Sequence, residues 1–283
     1  MTEDSDAADR GWFAGVDSGD AAAGAQTIGE GEAEQPRDWP GLAVETGFAD
    51  TRETYYDALH EATVQAARES VHAEERADDR QLIHAVRAMD DTERVANELA
   101  ERLDEWAGTL FEDVSPGVEG ARELSDRHPA NPFERRVVSL ARRVTLLAEE
   151  REDLRSFVER RAPAVAPNLS EMAGPVLAAR LLALAGGLEE LAKKPAGTIQ
   201  VLGAEDALFA HLAGRAPSPK HGIIFTHDAV RNTRPADRGS AARALSGKLA
   251  IAARIDHYSG DLRPSIHDDL EERMETIRAR ADG

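Results

Sequence analysis

The chain has 283 residues, 41% of them hydrophobic, and sets 53 Asp and Glu against 34 Lys and Arg for a formal net charge of −19. That length suffices for two or three modest domains and a real core, while the absence of cysteine excludes disulfides, cysteine-based zinc sites and thiol catalysis. No apolar run approaches the ~20 residues of a membrane span, and the acidic opening "MTEDSDAADRG" is unlike a signal peptide, so a soluble, cytoplasmic protein is expected.

Residues 1–50 carry twelve acids and two arginines. "GWFAGVDS" reads as one short strand, and "AAAGAQTIGEGEAEQPRDWPG" as loop or disorder, because low hydrophobicity and high charge cannot offset the entropy of ordering. Gly29 and Gly31 lack a third glycine and a following helix pattern, so they are no nucleotide fingerprint.

From Thr51 to about Leu110 helix formers dominate, interrupted only by Gly108. An apolar seam runs through Leu82, Val86, Met89, Ala96, Leu99, Leu103, Trp106 and Leu110, and Glu93 takes one of its slots. Turns are expected at "EDVSPGVEG" and "DRHPANP". A second seam follows through Phe133, Val137, Leu140, Val144, Leu147, Arg151, Leu154 and Val158, with one arginine in it. Two long helices with a short connection fold back as an antiparallel hairpin, either within an ordinary bundle or as an arm over residues 51–162 that pairs with another chain. Pro163 and Pro167 end this region. Residues 163–260 then turn alanine- and leucine-rich in short helical pieces punctuated by Gly and Pro, which predicts a compact all-helical globule. Residues 261–283 close the chain as an amphipathic helix or frayed tail.

No motif for catalysis emerges. No two histidines sit at metal-ligand spacing beside a carboxylate, and a serine elbow, a phosphate-cradling glycine loop and a strand–turn–helix nucleotide unit are all missing. No catalytic residue, cofactor or metal is therefore assigned. His227-Asp228 reads as a turn, and Asn168-Leu169-Ser170 fits a glycosylation pattern that means nothing without a secretory signal.

The cations are more informative. Four lysines (Lys193, Lys194, Lys220, Lys248) stand beside 30 arginines. Such a surface suits a salt-rich cytoplasm, the alternative being an ordinary acidic protein with an arginine bias. Between Arg215 and Tyr258 eight Lys and Arg face three acids, so one cationic stretch persists in an acidic chain. On a helix starting at Arg238, Arg243 and Arg254 fall within about 20° of each other, with Leu245, Leu249 and Ala252 opposite. One face then packs inward while guanidinium groups face solvent or phosphate.

The blocks "APNLSEMAGPVLAARLLALAGGLEELAKKPAGTIQVLGAEDALF", "PKHGIIF" and "RGSAARALSGKLAIAARIDHYSG" resemble, in order and spacing, the Nop domain. The segment from "ETYYDALHEATVQAARES" to "ELAERLDEWAG" resembles the helical arm that precedes that domain in the archaeal member. The resemblance implies a mainly α fold: an antiparallel coiled-coil arm, an all-helical C-terminal Nop domain over 163–260 and a reduced N-terminal segment over 1–50. It implies a non-catalytic scaffold of box C/D guide ribonucleoproteins serving 2′-O-methylation. Implied partners are a guide RNA, a ribosomal-protein-like kink-turn protein, the fibrillarin methyltransferase at the N-terminal segment, and a second arm. By position, Lys193, Ala196 and Glu205 would face the kink-turn protein. Ile199, Gln200, Lys220, His221, Arg238, Arg243, Lys248 and Arg254 would face RNA. The family's usual cations are replaced by Asp206 and Ala210 in "GAEDALFA", and another is lost in "RGSAAR". The N-terminal segment is also much shorter than the family's, with "WFAGV" as its expected surviving strand. The competing readings are an RNA-modifying enzyme and a dimerisation protein without RNA.

Overall fold

The computed structural model describes residues 11–31 and 37–279, and it is helical with no strand among them. The acidic start and the tract at 32–36, both read as sequence signals above, lie outside the described residues, as do the last four positions. The chain divides into two compact units, Met1–Ala77 and Asp78–Gly283.

In the first unit, α1 (Ala21–Glu30) and α2 (Trp39–Glu45) pack on α3 (Arg52–Glu75). The loop expected at residues 21–30 is a helix. Asp20 caps it by accepting from Ala23 N at 3.0 Å, and tertiary contact stabilises what weak periodicity did not announce. Gly24 permits the contact: a Cβ there would stand 2.8 Å from the Trp12 ring and 3.0 Å from Ala62 Cβ. The strand expected at Trp12–Val16 is a run of turns instead, because its two aromatic side chains both reach one cluster. Phe13, Ala43, Ala49 and Tyr55 form the centre of that cluster, with Trp12, Trp39, Leu42, Phe48 and Leu59 around them. Trp12 Nε1–H donates to the Tyr55 hydroxyl at 3.2 Å. Thr51 and Thr54 form a reciprocal capping box at the start of α3. The region 51–110 is thus two helices, and the first of them packs with the N-terminal helices.

The second unit opens with α4 (Asp78–Ala107), followed by α5 (Gly117–Ser125) and α6 (Pro132–Val165). Helices α4 and α6 pair along their lengths as the seams require. The connection expected as two turns contains the extra helix α5, whose Ala121 and Leu124 are buried against the pair. Asn131 caps α6 by accepting from Phe133 N and Glu134 N. At the seam ends the pattern fails: Phe133 is 67% exposed and Trp106 39%. Both sit at the distal ends of their helices, Trp106 one residue before the end of α4 and Phe133 in the first turn of α6.

Beyond the arm lie α7 (Pro167–Ala173), α8 (Pro175–Ala185), α9 (Leu188–Lys193), α10 (Ala196–Val201), α11 (Glu205–Leu212), a 3-10 turn (Ile223–Thr226), α12 (Asp228–Arg231), α13 (Arg238–Tyr258) and α14 (Ser265–Ala279). Helix α13 is the central strut. Its Ala241, Ala242, Leu245, Leu249, Ala252 and Ala253 are buried against α7, α9, α10 and α14. Alanines at close crossings let helix axes approach and keep dense contact. Asp256, 7% exposed, ties the start of α7 to this strut by accepting from Asn168 N (2.9 Å), Asn168 Nδ2 (2.6 Å) and Leu169 N (2.9 Å). The glycosylation-like Asn168 is therefore a buried structural residue. The C-terminal segment is a helix from Ser265, with Ile266, Leu270, Met274 and Ile277 buried.

Candidate functional site

The cationic stretch folds around one glycine. The backbone after Lys220-His221 is laced to the end of α10: Gly222 N donates to Gln200 O at 2.8 Å and Ile223 N to Leu202 O at 2.7 Å. A Cβ on Gly222 would lie 1.9 Å from Leu202 O, so only glycine allows this approach. Gln200 Nε2 donates to Lys220 O at 2.7 Å and fixes the loop from the other side. The result is a Lys220-His221 pair held on the surface by backbone geometry.

A layered arrangement stands next to it. The His221 ring stacks on Phe225 at 4.6 Å with a 20° interplanar angle, and the Arg238 guanidinium lies 5.3 Å from the centre of the same ring. Arg238 Nε also donates to Thr233 O at 3.0 Å. The Lys220 stem passes beside Gly239 on α13, so Lys220, His221 and Arg238 share one patch. Burial pushes the His221 pKa below the ordinary histidine value, and the Arg238 and Lys220 charges push it the same way. A neutral imidazole that can stack, donate and accept is the consequence. Phe225 was not singled out from the sequence, although it lies in "PKHGIIF"; an aromatic three residues after a glycine turn was the available signal.

The remaining candidates do not form one continuous surface. Arg243 and Lys248 line a groove between α13 and α14, with Asp269, Glu272 and Arg273 across it. Lys248 Nζ is bound to Asp269 at 2.6 Å. Arg254 turns toward α9, where its Nε donates to Ala192 O at 3.2 Å. The exposed Lys193 ammonium bridges Glu189 at 2.8 Å and Glu190 at 3.1 Å, and those two hydrogen bonds raise its pKa. Ala196 is half-buried at the start of α10. Glu205 is exposed and accepts from Gly203 N at 2.9 Å. Ile199 departs from its expected role: it is 0% exposed and packs in the core, because its position on the short α10 points it at α13. Its side chain offers nothing to a partner. Helix α11 carries Asp206 in its first turn and leaves Phe209 and Leu212 exposed. Among the described residues no group of histidines and acids is arranged to hold a metal, and no helix is long and apolar enough to cross a membrane.

The Nop family, described as snoRNA binding domain, fibrillarin, matches residues 77–277. An uncharacterised NOP5 family protein of Methanocaldococcus jannaschii is 32% identical over 273 residues, covering 83% of this chain and 66% of its own length. Nucleolar protein 58 of Debaryomyces hansenii is 30% identical over 245 residues, covering 71% of this chain and 47% of its own. The chain thus spans between about half and two thirds of the length of these curated relatives. Among solved structures, a crystal structure of a fibrillarin/Nop5p complex aligns with a TM-score of 0.55 and 27% identity, over 95% of this chain and 99% of that one.

Proposed function

Because the chain belongs to the Nop family, we propose that it is a non-catalytic, RNA-binding scaffold of archaeal box C/D guide ribonucleoproteins, acting in the cytoplasm. The observation that carries the proposal is the Lys220–His221–Phe225–Arg238 assembly, a stacked and cationic patch set rigidly on the globule. Stacking plus positive charge suits bases splayed out of a distorted RNA, and arginine forks suit its phosphates. Lys193, Ala196 and Glu205 lie on α9–α11 and serve a protein neighbour, the kink-turn protein that presents this RNA. Gln200 holds the loop in place. Arg243, Lys248 and Arg254 extend contact along α13, Lys248 after release from Asp269.

The scaffold's mechanism is positional. Holding a guide RNA on the globule and a methyltransferase elsewhere on the chain replaces diffusive encounter with preset geometry. A related structure pairs Nop5p with fibrillarin, and the N-terminal unit with its aromatic core is the docking platform proposed here. The arm serves self-association. The acid surplus and the scarcity of lysine support a haloarchaeal setting. Counterion release yields little binding energy in concentrated salt, so the loss of cations at Asp206 and Ala210 is tolerable while stacking and partner contacts remain.

The test is a gel shift with a kink-turn RNA in molar potassium chloride, with and without its kink-turn protein. A supershift that needs all three components is expected. With base stacking worth ~1–3 kcal/mol, a Lys220→Ala/His221→Ala/Arg243→Ala variant should lose about tenfold or more in apparent affinity. Unchanged retention by that variant would remove the patch from the RNA interface.

A further inference from the structure

We propose that the arm is built as two separately cooperative halves joined at a polar break, Glu93 on α4 facing Arg151 on α6. The two seams each contain one interruption, and the fold places them opposite each other: Arg151 Nη2 lies 3.0 Å from Glu93 Oε1. Glu152 also accepts from the same guanidinium. Arg151 Nε, buried, has no hydrogen-bond partner.

The apolar contacts divide at this level. On the globule side, Leu82, Ile83, Val86 and Met89 of α4 and Val158 and Ala162 of α6 belong to one cluster continuous with the globule core. On the far side, Ala100, Leu103 and Ala107 of α4, Ala121 and Leu124 of α5, and Val137, Ala141 and Val144 of α6 form a second cluster. The buried residues flanking the break, Ala96 and Ala148, are methyl groups that belong to neither. Apart from the half-buried Val95 and Leu147, which belong to neither cluster, little apolar area is therefore buried where the clusters would have to join. An ion pair in that place does not supply the missing cohesion, since its two side chains remain partly open to water and such a pair contributes little.

Polar ties sharpen the division. The near half is fastened to the globule: Arg180 Nε reaches both Asp90 oxygens at 3.1 and 3.2 Å. Arg87 Nη2 donates to Ala183 O at 3.1 Å, and Leu188 N donates to Asp79 Oδ2 at 3.0 Å. The far half is tied within itself, with Gly117 N donating to Asp104 Oδ2 at 2.7 Å and Arg142 Nε to Ser125 O at 3.1 Å. Cooperative units follow contiguous burial. The tip can therefore open or tilt about Glu93–Arg151 while the near half and the globule keep their structure. A scaffold with this build holds one end rigid and lets the distal end adjust to whatever it meets.

Native-state amide exchange on the full chain, read by mass spectrometry over a series of low urea concentrations, tests this. Amides of the far half (100–107, 137–144) are expected to be about tenfold or more less protected than those of the near half (82–89, 158–162), with a separate urea dependence. Leu124→Ala should speed exchange in the far half by about thirtyfold or more, the cost of a buried leucine, and leave the near half unchanged. Glu93→Leu/Arg151→Leu joins the clusters and should raise far-half protection to the near-half value. One shared exchange isotherm in the native chain overturns the proposal, as does Leu124→Ala loosening both halves alike. Far-half protection left unmoved in a folded double variant overturns the role of the break.

Discussion

The N-terminal unit and the C-terminal globule solve the same burial problem with different residues. Six of the chain's thirteen aromatic side chains lie between Trp12 and Tyr56, and edge-on contacts such as Trp12–Phe48 at 5.3 Å and Phe13–Tyr55 at 5.9 Å hold that small cluster together. The globule's fully buried large side chains are instead aliphatic, Leu181, Leu182, Leu245 and Leu249 among them, set between alanines. A short segment has few residues to invest, so each ring, worth 150–250 Å² of buried area, must count for more. A larger globule can use many small contacts at close helix crossings. Its own aromatics, Phe209, Phe225 and Tyr258, are then left at or near the surface, where Phe225 supports the candidate site.

If that contrast is right, the largest single-residue loss belongs to the aromatic cluster. Phe13→Ala should cost the N-terminal unit about 3–5 kcal/mol, read as lost amide protection across α3. Leu249→Ala should cost the globule about 2–5 kcal/mol, with neighbouring alanines free to close part of the gap. Denaturation that ranks Leu249→Ala far above Phe13→Ala would break the comparison.

The sequence made the globule and the paired arm helices legible because both rest on periodicity. The 3–4 spacing of the two seams foretells the pairing of α4 and α6, and even its flaws, Glu93 and Arg151, meet. It concealed what depends on contact at a distance. Nothing in "AAAGAQTIGE" signals a helix until Gly24 is seen beneath Trp12, and α5 lies hidden between two turn signals. In the candidate site, Lys220, His221 and Arg238 lie close together around Phe225, a juxtaposition that depends on the fold and not on spacing. Ile199 looked available only because the exposed and buried faces of a six-residue helix cannot be told apart by pattern. Arg243 and Arg254, which the angular argument set together on α13, are both exposed, but that argument is blind to distance along the axis, where each meets a different neighbour.

A second way to sharpen the comparison concerns polar groups, since the globule also depends on buried hydrogen bonds. Asp256→Ala strands the Asn168 and Leu169 N–H groups at the start of α7. Unsatisfied buried donors cost about 1–3 kcal/mol each. The loss should appear as a lower urea midpoint for the globule, and Asp256→Asn, which keeps one acceptor oxygen, should recover part of it. Equal losses for both variants would assign the effect to the charge rather than to the accepted bonds.

The smallest expected effect is one of pH and falls on the globule. His227 Nδ1 accepts from Ala229 N at 3.1 Å, which leaves Nε2 to donate to Met172 O at 3.0 Å. That pattern requires the neutral ring, because a proton on Nδ1 would face another N–H. Burial lowers the His227 pKa below its ordinary 6.5, and His267 adds to the lowering. Hydrogen bonding to Met172 and the charge of Asp228 oppose it in part. Above the ordinary value the folded and unfolded chains both hold a neutral ring, and the residue contributes no pH dependence. As pH falls through 6.5 the unfolded chain takes up a proton that the folded one resists, so stability drops until the lower folded pKa is passed. His227→Asn can still accept from Ala229 without titrating. The native chain's stability relative to His227→Asn should therefore decline as the buffer is acidified from neutrality, which thermal denaturation at matched ionic strength would register. A difference that stays flat across that range would mean His227 titrates alike in the folded and unfolded chains, and its cap on α12 would have to be redrawn.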